Sequence, residues 1–126
     1  MKHESLTAEI ISACMKVHSA LGPGLLESVY ERAVSIELKK RGIAHLRQIG
    51  IHTAYEDEDL GVGLRADIII DNQVLLEIKS VEAISPLHSK TTLTYLKFAR
   101  IEVGLLINFN VISLKAGIKR LINDLN

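Results

Sequence analysis

The tightest constraint on this chain is the three-residue span Asp71-Asn72-Gln73, set between two apolar runs, Leu60 to Ile70 and Val74 to Ser80. A short polar turn of this kind folds the chain back, so the runs on either side pair as antiparallel strands. Upstream, the polar turn Glu56-Asp57-Glu58-Asp59 follows Ile43 to Tyr55, where Leu46, Gln48 and His52 alternate imperfectly with Arg47, Ile49 and Ile51. That period favours a further strand. Three strands joined this way predict an antiparallel meander.

Helical patterns surround it. From Thr7 to Leu21, apolar residues recur at Ile10, Ile11, Cys14, Val17 and Leu21, with Thr7 as the expected N-cap. Gly22-Pro23-Gly24 breaks that helix. A second is expected from Leu25 to Arg41, with Leu26, Val29, Tyr30, Ala33 and Ile36 inward and Gly42 as a left-handed terminator. Ser85-Pro86 is a helix start, Ser as N-cap and Pro in the first turn, and that helix should reach about Arg100. Val103 to Phe109 is a continuous apolar run, the pattern of a strand buried on both faces. The tail from Val111 predicts a small strand and a last basic helix. The predicted order is α, α, β, β, β, α, β in one domain spanning residues 1–126.

The run Leu75-Leu76-Glu77-Ile78-Lys79-Ser80 sets two opposite charges into such a strand. Side chains alternate, so Glu77 and Lys79 share one face, while Val74, Leu76 and Ile78 share the other. The short turn brings Asp67 toward Glu77. Two carboxylates there suit Mg²⁺ or Mn²⁺, which take few protein ligands and keep several waters. A lysine two residues on can hold a water and stabilise developing negative charge. The plain alternative is an exposed ion pair worth roughly 0–1 kcal/mol. A strand expected at the centre of the sheet counts against it.

These residues resemble the D…(D/E)-x-K signature of the PD-(D/E)XK nuclease superfamily, whose αβββαβ core matches the order from Leu25 to Phe109. Gly24-Leu25-Leu26-Glu27-Ser28-Val29-Tyr30 is similar to the motif that names the GxxExxY protein family within it. Val17 to Gly24, Leu64-Arg65-Ala66-Asp67, Tyr95-Leu96-Lys97 and Gly104 to Phe109 resemble the same family, so the likeness covers roughly residues 7 to 120. It implies an α/β fold of restriction-endonuclease type, a mixed central sheet flanked by helices with an extra N-terminal helix. By the same resemblance Asp67, Glu77 and the Ile78 carbonyl ligate Mg²⁺ or Mn²⁺, Lys79 positions the attacking water, and Glu27 is an additional acid near the metal. Tyr30, one turn from Glu27, and Tyr95 are supporting residues. The implied substrate is nucleic acid, DNA in preference to RNA. Ala66 replaces the proline of the motif, which supplies no ligand. Thr91 stands where relatives carry Gln in Gln-x-x-x-Tyr, and its shorter hydroxyl cannot make the same reach.

That departure keeps a second reading open, a nuclease fold that binds nucleic acid or a partner protein without cutting. Fifteen basic and fifteen acidic residues cancel, so no global field draws the chain to a polyanion or membrane. The balance is uneven: residues 55–82 carry eight acids against two bases, and residues 86–126 carry six bases against two acids. An acidic centre beside a basic segment suits a cation site with a polyanion-binding rim, and basic C-terminal segments framing a groove in a homodimer are a third possibility. Cys14 is the only cysteine, and no apolar run is of membrane-spanning length. The cytoplasm is the expected compartment. Cys14 and His18 at i, i+4 lack further zinc ligands and read as a buried thiol and a packed ring. His88 is a candidate phosphate contact, and Lys39-Lys40-Arg41 a helix-terminal charge cluster. Glu27 alone would read as a first-turn acid facing the helix dipole.

Overall fold

The computed structural model describes residues 3–125. Helices α1 (Glu4–Leu21) and α2 (Glu27–Lys40) precede strands β1 (His45–Tyr55), β2 (Glu58–Ile70) and β3 (Val74–Lys79). Then come α3 (Pro86–Ala99), β4 (Val103–Asn108), a 3-10 turn (Leu114–Gly117) and β5 (Ile118–Ile122). The strands form one sheet in the order β1-β2-β3-β4-β5. β3 and β4 are parallel and every other neighbouring pair antiparallel, so the sheet is mixed.

A parallel pair needs a crossover and cover on both faces. α3 supplies the crossover, and two apolar layers supply the cover. On one face Val74, Leu76, Ile78, Leu105 and Ile107 pack with Ile10, Cys14 and Val17 of α1 and with Tyr30, Val34 and Leu38 of α2. On the other, Ile69, Leu75 and Leu106 pack with Leu96 of α3. α3 sits close: a Cβ on Gly104 would meet the Leu96 side chain at 2.9 Å. Glu77 and Lys79 alternate with Leu76 and Ile78, so they lie on the α3 side.

Both hairpins use paired left-handed residues, the geometry that matches strand twist. Glu56 and Asp57 have φ of 47° and 67°, and Asp71 and Asn72 have 51° and 54°. The first turn is narrower than the four acids suggest, because Glu58 already pairs with Tyr55. β1 and β2 pair along their whole length, whereas the β2–β3 ladder runs only from Ile70↔Val74 to Ile68↔Leu76. The outer part of the β1–β2 hairpin is therefore an arm reaching beyond β3.

Several expectations fail in detail. Thr7 is inside α1, its hydroxyl donating to the His3 carbonyl at 2.7 Å; the helix begins at Glu4. α2 is turned from its expected face: Tyr30, Glu31, Val34, Glu37 and Leu38 are buried, while Leu26, Val29 and Ile36 are exposed. The acids can turn inward because Arg41 bonds Glu37 and Arg47 bonds Glu31. No last helix forms among the described residues, because the basic segment Ile118–Ile122 instead pairs with the free edge of β4. Gly42 is left-handed as expected, and Ile43 N–H closes on Leu38 O at 3.0 Å. Cys14 is buried, its thiol pushed up to about 12 chiefly by burial, and His18 Nε2 lies 2.8 Å from Val111 O.

Candidate active site

Beyond Ile68↔Leu76 the next pair in register would be Asp67 and Glu77, and there side chains replace the ladder. Asp67 N–H donates to Glu77 Oε1 at 3.0 Å, and Ile78 N–H donates to Asp67 Oδ2 at 2.8 Å. Each carboxylate thus holds the other strand's backbone with one oxygen. Ile78 N–H and C=O leave the strand on the same edge, so the Ile78 carbonyl also faces this gap.

The pair is electrostatically costly. Glu77 is buried, and its carboxyl is pushed up to about 8, first by burial and then by the charge of Asp67. Asp67 is raised as well; burial dominates over the opposing Ile78 N–H, and Glu31 and Glu27 add repulsion. Lys79 acts the other way on both, favouring their charged forms. Half-buried on the same face, the Lys79 ammonium makes no hydrogen bond or ion pair among the described residues. Tyr95 of α3 feels the same field: its phenol is raised by burial, then by Glu77 and Asp67. Thr91, one turn earlier, is exposed.

Glu27 reaches this end of the sheet from α2. Its Oε2 accepts Ser80 N–H at 3.1 Å, and Ser80 Oγ donates to Leu25 O at 2.7 Å. These bonds pin the end of β3 to the start of α2. Tyr30 acts on the loop ahead of Glu27. Its hydroxyl donates to Gly22 O at 2.5 Å and accepts Leu25 N–H at 3.1 Å, while its ring stacks on Phe109 at 4.6 Å. It fixes the glycine-rich loop that delivers Glu27. Tyr30→Phe should keep the stack but leave both backbone groups short of a partner, costing about 1–3 kcal/mol. Thermal unfolding would show this as a lower melting temperature; an unchanged one would refute the role.

Two residues given no role by sequence reasoning complete the cluster. Glu31 is buried and accepts from Arg47 Nε at 3.1 Å and Gln48 Nε2 at 2.6 Å. Gln48 Nε2 lies 3.4 Å from Asp67 Oδ1. The signal for Glu31 was its i+4 spacing from Glu27 on one helix face. On the far side, Asn108 accepts Val81 N–H at 3.0 Å and donates to Val81 O at 2.9 Å, which fixes the chain just after Lys79. His88 caps α3: its Nδ1 accepts Ser85 N–H at 2.9 Å, and its own backbone N–H donates to Ser85 Oγ.

A mixed sheet between helices, with two carboxylates and a lysine where the ladder stops, defines a nuclease-like domain of restriction-endonuclease type. Residues 4–121 match the PD-(D/E)XK nuclease superfamily, and the chain belongs to it. Nucleases of this superfamily generally use divalent metals and act on nucleic acid. No curated protein and no solved structure matches the chain. No helix among the described residues is long and apolar enough to cross a membrane.

Proposed function

We propose that this chain is a Mg²⁺- or Mn²⁺-dependent phosphodiesterase acting on nucleic acid, DNA in preference to RNA, and a member of the GxxExxY group. The observation that carries the reading is the reciprocal bonding of Asp67 and Glu77. It leaves one oxygen of each carboxylate for a cation and holds both acids in a desolvated, mutually repelling pair. The donor set fits a hard divalent ion, which prefers oxygen and keeps much of its water. Among the described residues no three His, Cys, Asp or Glu side chains converge as a metal cage. The third protein donor in this reading is accordingly the Ile78 carbonyl.

When bound, the cation would supply Lewis-acid stabilisation of charge on the phosphoryl oxygens and acidify water. The chain's own groups do the rest. Asp67 and Glu77 hold the ion, and Lys79 Nζ donates to the attacking water and to a non-bridging oxygen. Glu27, held by Ser80, keeps an acid at the rim of the same edge. Tyr95 closes the α3 side with its hydroxyl, its phenol kept protonated by burial and then by the acids it faces.

Calorimetric titration with Mn²⁺ tests the reading. Wild type should bind in the micromolar-to-millimolar range and Asp67→Ala should not, and cleavage of DNA should require the added metal. Exposed Thr91 in place of the family's Gln favours one rival, a fold that binds nucleic acid without cutting. Nucleic-acid binding with no Mn²⁺ uptake at millimolar metal would decide for that rival.

A further inference from the structure

We propose that Gln48 is a positioning residue for Asp67, its amide holding the aspartate in place from a buried anchor, Glu31. This rests on the metal-dependent reading above and adds a residue to it.

The observation is a break in β1. Neighbouring residues of a strand point to opposite faces. Arg47 and Gln48 are neighbours, yet both reach Glu31, at 3.1 and 2.6 Å. They do so because Gln48 is left-handed, with φ of 52°. The paired residues pass from Arg47↔Ile68 to Ile49↔Ala66, omitting Gln48 and Asp67. A side chain other than glycine pays about 1–3 kcal/mol for such a conformation, which persists only where its surroundings impose it.

Here they impose it from several sides. Arg65 Nη1 donates to the Gln48 carbonyl at 3.1 Å, holding the kinked backbone. Both side-chain neighbours of the amide, Glu31 and Asp67, are acceptors, so its NH₂ end must face them. That nitrogen carries two hydrogens. One is spent on Glu31 at 2.6 Å, and the other is directed at Asp67 Oδ1 at 3.4 Å. Asp67 Oδ2 is meanwhile fixed by Ile78 N–H at 2.8 Å. The two contacts together set the rotation of the carboxylate plane, and with it the direction in which Asp67 presents lone pairs to a cation. Arg47 holds the other oxygen of Glu31, its Nη2 3.0 Å from Oε2, so the anchor itself cannot swing.

Gln48→Gly separates this role from a structural one. Glycine adopts φ near 52° without strain, so the kink survives and only the amide is lost, whereas alanine would keep the strain and lose the contacts that impose it. Relief of the left-handed strain offsets the hydrogen bond lost to Glu31, so the melting temperature should stay within a few degrees of wild type. The dissociation constant for Mn²⁺ should weaken by about 10- to 100-fold, the usual effect of removing a group that orients a metal ligand. kcat should fall, with KM for nucleic acid unchanged. Gln48→Gly with wild-type Mn²⁺ affinity overturns the proposal alone. A loss of affinity matched by a large fall in melting temperature also overturns it, by making Gln48 structural. Wild type that takes up no Mn²⁺ overturns the metal-dependent reading, and this proposal with it.

Discussion

Lys79→Ala is expected to lower kcat for metal-dependent cleavage by about 10²–10³-fold, the range for removing one positioned donor from developing charge. Its other properties should move little or improve. The Lys79 side chain makes no hydrogen bond or ion pair among the described residues, so truncation leaves no described partner stranded. An ammonium near Asp67 and Glu77 also repels an incoming cation. The variant should therefore bind Mn²⁺ as tightly as wild type or more tightly. Single-turnover cleavage beside calorimetry would check both halves. Cleavage unchanged by the substitution would sink the assigned role, and a parallel loss of Mn²⁺ binding would reassign Lys79 to the metal.

Glu77→Gln should separate stability from activity in the opposite direction. The Glu77 carboxyl is raised from 4.5 to about 8 in the fold, mainly by burial and then by Asp67. A raised carboxyl contributes stability that is fully present below its unfolded value and is lost as pH rises through the folded one. The metal-free wild type should therefore lose stability between about pH 4.5 and pH 8. Glutamine stays neutral and still offers an oxygen to Asp67 N–H, so the variant escapes this loss. The two proteins should melt alike near pH 4.5, and by pH 9 the variant should lead by on the order of 5 kcal/mol, at ~1.4 kcal/mol per pK unit. In a chain of this size that is roughly 15–20 °C. Mn²⁺ should raise the melting temperature of wild type by mass action and leave Glu77→Gln where it was. Melting curves across pH, with and without metal, give the answer; a variant less stable than wild type at pH 9 would refute the account.

Most of the fold was legible because apolar period and turn chemistry agree along the chain. Asp71-Asn72-Gln73 fixed the β2–β3 hairpin, and the alternation of Glu77 and Lys79 with Leu76 and Ile78 fixed which face of β3 carries charge. The face of α2 was misread because periodicity treats acids as solvent positions, whereas Glu37 is buried against Arg41 one turn on and Glu31 against Arg47 of β1. In the tail the small strand forms as β5, but the last basic helix does not, because the basic residues Lys119 and Arg120 are taken up in the strand that meets the open edge of β4. Glu31 and Gln48 were missed for a related reason. Their meeting depends on one left-handed residue inside a strand, where the alternation used to read that strand ceases to hold.

The arm formed by β1 and β2 changes what a net charge of zero means for this chain. Glu56, Asp57, Glu58 and Asp59 sit at its tip. Asp57 and Asp59 line one surface pocket with Lys97 and Arg100 at the end of α3. Opposite charges that close offset one another, and beyond the Debye length of about 8 Å in physiological salt the remainder is screened. A phosphodiester arriving at the carboxylate pair meets the local field of Asp67, Glu77, Lys79 and their neighbours. Two of the fifteen acids in the sum are thus offset where they stand, beside Lys97 and Arg100.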